Sequence, residues 1–248
     1  MGGAHVFPGG RVDASDRESD DGWCDGLGHA VRQLNGLPAE AAAYHVAAAR
    51  ELFEEAGVLL ARDRSGQFVS LADPAVHDRF RLRRSDVHAG RSTMRDVVVA
   101  EGLRLDVGTL ILFAHWVTPP IDTRQFDTRF FMTRVPPEQT PIHDDTETTH
   151  SGWLTPSAAI AQALDGEIVL PPPTWTTLRE LEPFASVDEA LAWAARRRIV
   201  RRQPELIEHD GRRMLVVPGD PLHPQTVDEA PVETRFVWAD KRWRAAKP

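Results

Sequence analysis

Arg50, Glu51, Glu54 and Glu55 fall within six consecutive positions of the stretch AARELFEEAG, residues 48–57. Carboxylates spaced i, i+3 and i+4 on a helix offer nothing but hard oxygen donors. Magnesium asks for such donors in octahedral array, at roughly 2.0–2.1 Å, and keeps several of its waters. An arginine beside the cluster can grip a carboxylate through a forked pair and fix its rotamer. The plain alternative is a solvated helix face. Two like charges ~6 Å apart in water repel by under ~1 kcal/mol, so an exposed acidic face is cheap. Charge alone leaves both readings open.

The element that must hold these residues is a helix from about Pro38, a good first-turn residue, to Ala56, with Gly57 at the left-handed position beyond its end. At about 100° per residue, Glu54 and Glu55 lie roughly 60° and 40° to either side of Glu51. Ala49, Leu52, Phe53 and Ala56 take the opposite side, so Leu52 and Phe53 dock the helix on a core. Around it, AHVF (4–7) reads as a short strand stopped by Pro8-Gly9-Gly10, and 13–28 reads as an exposed loop rich in Asp, Ser and Gly. VLLA (58–61) begins a strand, and 73–107 reads as helical in two or three pieces. TLILFAHWVTP (109–119) and RFFMTRV (129–135) are strands ended by proline pairs. A loop over 144–156 leads into a strand at 152–154, and Thr155 caps a helix over 156–164. Two more helices cover 173–182 and 186–198. A hairpin follows, with Asp210-Gly211 at its turn, and the last segment is a strand and a tail. The fold class is α+β, with a mixed sheet flanked by helices. The best division is one domain over 1–198 and a C-terminal hairpin extension over 199–248.

The totals exclude several classes. The chain has 248 residues, 42% of them hydrophobic and 27% charged, which suits a real core. A net charge of −8 argues against a nucleic-acid partner. Lys241 and Lys247 are the only lysines, so arginine carries the positive charge. One cysteine, Cys24, rules out an internal disulfide, fits a reducing cytoplasm, and has no context that would make it a nucleophile. No apolar run approaches the ~20 residues that span a bilayer, which argues against a membrane partner. MGGAHVFPGG lacks the plan of a signal peptide, and the AAKP ending is not a peroxisomal address.

Residues 50–58, Arg-Glu-Leu-Phe-Glu-Glu-Ala-Gly-Val, match R-E-U-x-E-E-x-G-U at every specified position, U being aliphatic. This is the latter half of the Nudix box, and VFPGG resembles the strand and glycine turn that open it. The chain therefore resembles the Nudix hydrolases. The spacing departs from the usual G-x5-E-x7-R-E. Gly36 sits at the regular distance, but Ala42 stands where the glutamate belongs. Gly10 is read as the true opening glycine, with 11–37 inserted before the helix and Glu40 a candidate for the missing acid. The long insertion, LRLDVGTLILFAHWVTPP, DTRFFMTRVP and DDTETTHSGWLTPSAAI are similar to the coenzyme A diphosphatase-like subgroup related to the mammalian peroxisomal enzyme. The likeness covers roughly residues 4–182. A Nudix fold carries a strand or two ahead of the PGG turn, where this chain has only a few residues. Truncation, a misassigned start, or another segment filling the sheet all remain open.

The resemblance implies an α/β/α sandwich and hydrolysis of a pyrophosphate in a nucleoside diphosphate derivative. The expected substrate is coenzyme A or acyl-CoA, cut to 3′,5′-ADP and an (acyl-)phosphopantetheine. ADP-ribose, NADH or a nucleotide sugar is the alternative, and a silent nucleotide-binding module a further one. It implies Mg2+ or Mn2+ held by Glu51, Glu54 and Glu55, with Arg50 orienting them. Glu51 and Glu147 are candidates for general base, with Asp144 and Asp145 behind Glu147, and His143 and His150 weaker still. Gly9 and Gly10 let backbone approach the substrate or the metal helix, and Arg129 and Arg124 are candidates to grip a phosphate. Trp116, beside His115, is either a base-stacking platform or core. The hairpin is a candidate dimer contact.

Overall fold

The computed structural model describes residues 4–34, 38–120, 125–141, 152–240 and 242–246. In chain order the elements are β1 (Cys24–Asp25), α1 (Leu27–Gln33), α2 (Pro38–Ala56), β2 (Ala61–Arg62), α3 (Pro74–His88), α4 (Met94–Ala100), β3 (Arg104–Asp106), β4 (Ile111–Val117) and β5 (Asp127–Met132). Then come α5 (Pro156–Asp165), α6 (Pro172–Leu181), α7 (Val187–Ala194), β6 (Arg201–Arg202), β7 (Glu205–His209), β8 (Arg212–Val216), β9 (Arg235–Ala239) and β10 (Arg242–Ala246). Helices and mixed sheets give the expected α+β class. No helix among the described residues is long and apolar enough to cross a membrane. The chain divides into two compact units, Pro8–Leu112 with Phe131–Gly152, and Met1–Phe7 with Phe113–Phe130 and Trp153–Pro248.

The first unit is organised around α2. Its inward stripe, Val46, Ala49 and Phe53, packs with Val58, Leu59, Leu60, Phe80, Val97, Val98 and Leu105. Phe53 is fully buried, and burying such a side chain is worth roughly 1.5–3 kcal/mol. Residues 13–28 are not the open loop that their composition suggests. Trp23 and Cys24 are core residues, and Cys24 pairs with Leu105. The segment 104–106 is a strand, not the end of a helix. It lies between β1 and β2, where Leu105 N–H donates to Trp23 O (2.9 Å) and Asp106 N–H to Leu60 O (2.8 Å). The strand begun at Val58 is formal only at Ala61–Arg62. Ahead of it, Leu59 pairs with a side chain: its N–H donates to Gln139 Oε1 (2.8 Å) and its carbonyl accepts from Gln139 Nε2 (3.0 Å). Burial pushes the Cys24 thiol up to about 12, so it stays protonated and unreactive.

A buried histidine latches α1 to α2. Gln33 Nε2 donates to Leu110 O (2.7 Å) and lies 3.1 Å from His45 Nε2, while His45 Nδ1 sits 2.8 Å from Ala41 O. The amide donor makes Nε2 the acceptor and Nδ1 the protonated nitrogen, a neutral ring with both nitrogens satisfied. Burial pulls the imidazole down to about 4, with the Ala41 carbonyl opposing and His29 adding to the fall. The unfolded chain takes up this proton near pH 6.5, and the folded chain resists it. Stability from His45 is therefore complete above pH 6.5 and is lost as pH falls toward 4. At about 1.4 kcal/mol per pH unit, the loss reaches ~2 kcal/mol by pH 5. Urea midpoints at pH 7 and pH 5 are expected to diverge more for wild type than for His45→Gln. Equal pH dependence in the two proteins refutes this account.

In the second unit, β4 lies between β5 and β6 and runs parallel to β6, with His115 and Trp116 opposite Arg201 and Arg202. Trp116 is core, with the Arg202 guanidinium over its ring at 5.6 Å. Arg202 and Arg197 both clamp the half-buried Glu180. The predicted cap on α5 is present, Thr155 accepting from Ala158 N–H at 3.2 Å. The expected strand at 4–7 reduces to one bridge, Ala4 with Val169, and 152–154 forms no strand. The helix expected to reach 198 stops at Ala194. The terminal sheet has the order β10-β9-β8-β7 and is antiparallel throughout. Asp210 and Gly211 both adopt positive φ, the demand of a type I′ turn. The last segment is a second hairpin, β9 to β10, where a strand and a tail are expected from the sequence.

Candidate active site

The site belongs to the C-terminal half of α2 and the turn at residues 8–16. Arg50 is its hub and is almost fully buried. Nη1 reaches two carboxylates at once, Glu51 Oε1 at 2.8 Å and Glu54 Oε1 at 2.9 Å. Nε and Nη2 fork onto Asp16, Nε to Oδ1 and Nη2 to Oδ2, each at 3.0 Å. Nη2 also donates to Arg11 O at 2.6 Å. Burial disfavours the charged guanidinium, but the Asp16 bonds and charge, then Glu54 and Glu51, outweigh it and hold Arg50 above its ordinary range. Burial raises the Glu51 carboxyl above its usual value against the pull of Arg50, with Glu54 and Asp13 adding to the rise. Glu54 is buried, and Glu51 and Glu55 are partly so.

The glycine turn meets the helix through backbone. Gly9 N–H donates to Glu55 Oε2 at 3.1 Å. A Cβ on Gly10 would overlap the Glu51 carboxylate, so a larger residue there would push that side chain from its place against the turn. Behind the helix, α3 reaches Glu54 twice, through Arg84 Nε to Glu54 O at 2.7 Å and His88 Nδ1 at 3.7 Å from Glu54 Oε2.

Asp16 was not among the residues marked by sequence. It is 1% exposed and meets Arg50 across 34 residues of chain. Gly10 and Asp16 are separated by five residues, which is the glycine-to-acid spacing of the box. An aspartate therefore stands where the box carries glutamate, and the interruption falls after it. Reading the spacing from Gly10 with either acid allowed would have found it. Glu40, offered as the missing acid, is exposed on the first turn of α2.

Arg129 belongs to the second unit, on β5, where it pairs with Asp127; His115 Nε2 lies 2.6 Å from the same carboxylate. Burial lowers the His115 imidazole, with Asp127 opposing. Arg124, His143, Asp144, Asp145, Glu147 and His150 lie outside the described residues.

The donor set suits a hard divalent cation, being all carboxylate oxygen. Glu51 and Glu54 already converge on one positive centre, the Arg50 nitrogen. Among the described residues no group of three or more acidic, imidazole or thiol side chains is assembled closely enough to hold an ion as it stands.

A glycine turn laid on an Arg-Glu-x-x-Glu-Glu helix, within an α+β fold, defines a Nudix hydrolase. The crystal structure of a NUDIX hydrolase from Alicyclobacillus acidocaldarius matches with a TM-score of 0.60 and 26% identity, over 77% of this chain and 81% of that one. The NUDT19 Nudix domain model matches residues 27–181, and the chain belongs to that family. Human acyl-coenzyme A diphosphatase NUDT19 is 32% identical over 92% of this chain and 70% of its own length. The Xenopus laevis protein of the same name is 27% identical over 92% and 69%. The chain is thus a Nudix pyrophosphohydrolase, and members of this class generally use divalent metal ions.

Proposed function

We propose that this enzyme hydrolyses the diphosphate of coenzyme A or an acyl-coenzyme A, giving 3′,5′-ADP and the (acyl-)phosphopantetheine. The observation that carries the reading is the reach of the likeness. Proteins named acyl-coenzyme A diphosphatase align along 92% of the chain, far beyond the box helix. Water bonds to one phosphorus, the bridging P–O bond breaks, and a proton is released.

Glu51, Glu54 and Glu55 are the residues that would hold Mg2+ or Mn2+. Bound there, the ion would offset charge on the phosphate oxygens and acidify water. Arg50 holds the carboxylates of Glu51 and Glu54 in place, and Asp16 holds Arg50. Gly9 and Gly10 keep backbone close to the helix and its ligands. Glu51 or Glu147 takes the proton of the attacking water, and Arg129 and Arg124 bind the nucleotide's phosphates. The single buried thiol suits the cytoplasm. The hairpin of β7 and β8 is proposed as a dimer contact, and 199–248 as a C-terminal extension.

The test is incubation with Mg2+ or Mn2+ and, in turn, coenzyme A, acyl-CoAs, ADP-ribose and NADH, with products separated by chromatography. Release of 3′,5′-ADP from coenzyme A or its thioesters at the highest kcat/KM is the expected result. Faster cleavage of ADP-ribose or NADH overturns the substrate assignment, and no turnover of any of them overturns the enzymatic one.

A further inference from the structure

The last turn of α2 carries the proposed ligands Glu54 and Glu55, and a helix end is where backbone order is hardest to keep. The final carbonyls of a helix lack intrahelical partners. Here Gly57, at φ +69°, ends the helix and its N–H donates to Phe53 O at 3.0 Å. Val58 N–H, which would serve Glu54 O if the helix continued, turns instead to Leu52 O at 3.4 Å. The Glu54 carbonyl is served from outside. Arg84, about one turn from the C-terminal end of α3, donates to it through Nε at 2.7 Å. His88, one turn further along the same helix, lies 3.7 Å from the Glu54 side-chain Oε2. One helix therefore holds the backbone of residue 54 and places an imidazole near its side chain.

We infer that Arg84 is a positioning residue for the metal site: it caps the catalytic turn of α2 from α3 and so sets where the Glu54 and Glu55 carboxylates stand. The inference rests on the metal reading above. The cap is a charge-assisted bond to a partly buried carbonyl at a point with no helical substitute. Arg50 fixes Glu51 and Glu54 from the turn side of the helix, and Arg84 fixes the backbone of Glu54 from α3. The role of Arg84 does not show in the box, because α3 lies outside it.

The experiment compares wild type with Arg84→Met, which keeps an apolar stem and removes the donor, and with Arg84→Lys, which restores a donor. Mn2+ binding is read from the loss of the free-ion paramagnetic resonance signal, and metal-free melting by circular dichroism. Loss of an outer partner of a metal site costs about 10–100-fold in affinity. Arg84→Met is expected to weaken Mn2+ binding by about tenfold, within that range, and to lower kcat while KM for coenzyme A stays near wild type. Arg84→Lys is expected to recover most of the Mn2+ affinity. Wild type that binds Mn2+ while Arg84→Met binds it equally well overturns this inference alone. So does a loss of Mn2+ binding in both variants that merely tracks a loss of folded protein. Wild type that binds no Mn2+ overturns the metal reading and takes the inference with it.

Discussion

Glu54→Gln is expected to lose about 10³-fold or more in kcat, some 4 kcal/mol of barrier, because charge offset by a bound ion contributes several kcal/mol to such a step. Its metal-free melting temperature should barely move, and the reason is a near cancellation. Arg50 Nη1 keeps a neutral amide oxygen in place of the carboxylate it meets at 2.9 Å, losing the charge assistance of that bond, which is worth up to ~1.5–3 kcal/mol. Against this, Glu54 no longer repels Glu51, a relief of about 3 kcal/mol for carboxylates ~6 Å apart at an effective dielectric of 20. Arg50 also keeps Asp16 and Glu51. The melting shift that Mg2+ or Mn2+ confers on wild type should disappear, since binding to the folded state alone is what produces it. A variant that keeps a tenth of wild-type turnover, or still gains stability from the ion, removes Glu54 from the ligand set. A variant that unfolds says instead that the carboxylate is structural, as a satisfied member of the Arg50 cluster.

The helix and the placing of its charged side chains were legible because both are local. Glu51, Glu54 and Glu55 share a face by arithmetic of the 3.6-residue turn, and Phe53 faces the core by the same arithmetic. Asp210-Gly211 and Thr155 are short-range signals, and they behave as turn and cap. The illegible features lie far apart in sequence or are too short to carry a pattern. Strands β1, β2 and β6 are two residues each, so no alternation can announce them. Leu59 has its backbone served by Gln139, 80 residues away. The polar run from 13 to 28 hides Trp23 and Cys24, which only their place beside β3 reveals as core. Arg84 caps Glu54 across 30 residues. Asp16 is the instructive case, because its distance from Gly10 was readable but its chemistry was sought as glutamate.

That residue supports the second large effect. Asp16→Ala takes both acceptors from Arg50 Nε and one from Nη2, which keeps the Arg11 carbonyl at 2.6 Å. Arg50 cannot escape by losing its proton, since a guanidinium stays protonated in proteins and Glu51 and Glu54 remain beside it. A buried cation robbed of its main partner costs about 3–5 kcal/mol, and urea unfolding should show a loss of that order. The activity loss has a separate cause. Arg50 is the common anchor of Glu51 and Glu54, so a guanidinium free to turn lets both carboxylates wander, and kcat is expected to fall by about 10–100-fold. Asp16→Glu separates the two effects from simple damage. It restores the acid that the box carries at this spacing, so turnover should stay within a few-fold of wild type, at some cost for one extra methylene in a packed site. If Asp16→Ala matches wild type in both turnover and unfolding, Asp16 is not the partner that Arg50 depends on. If Asp16→Glu is as inactive as Asp16→Ala, position 16 does not fill the glutamate's place in an interrupted box, and the helix must be organised without it.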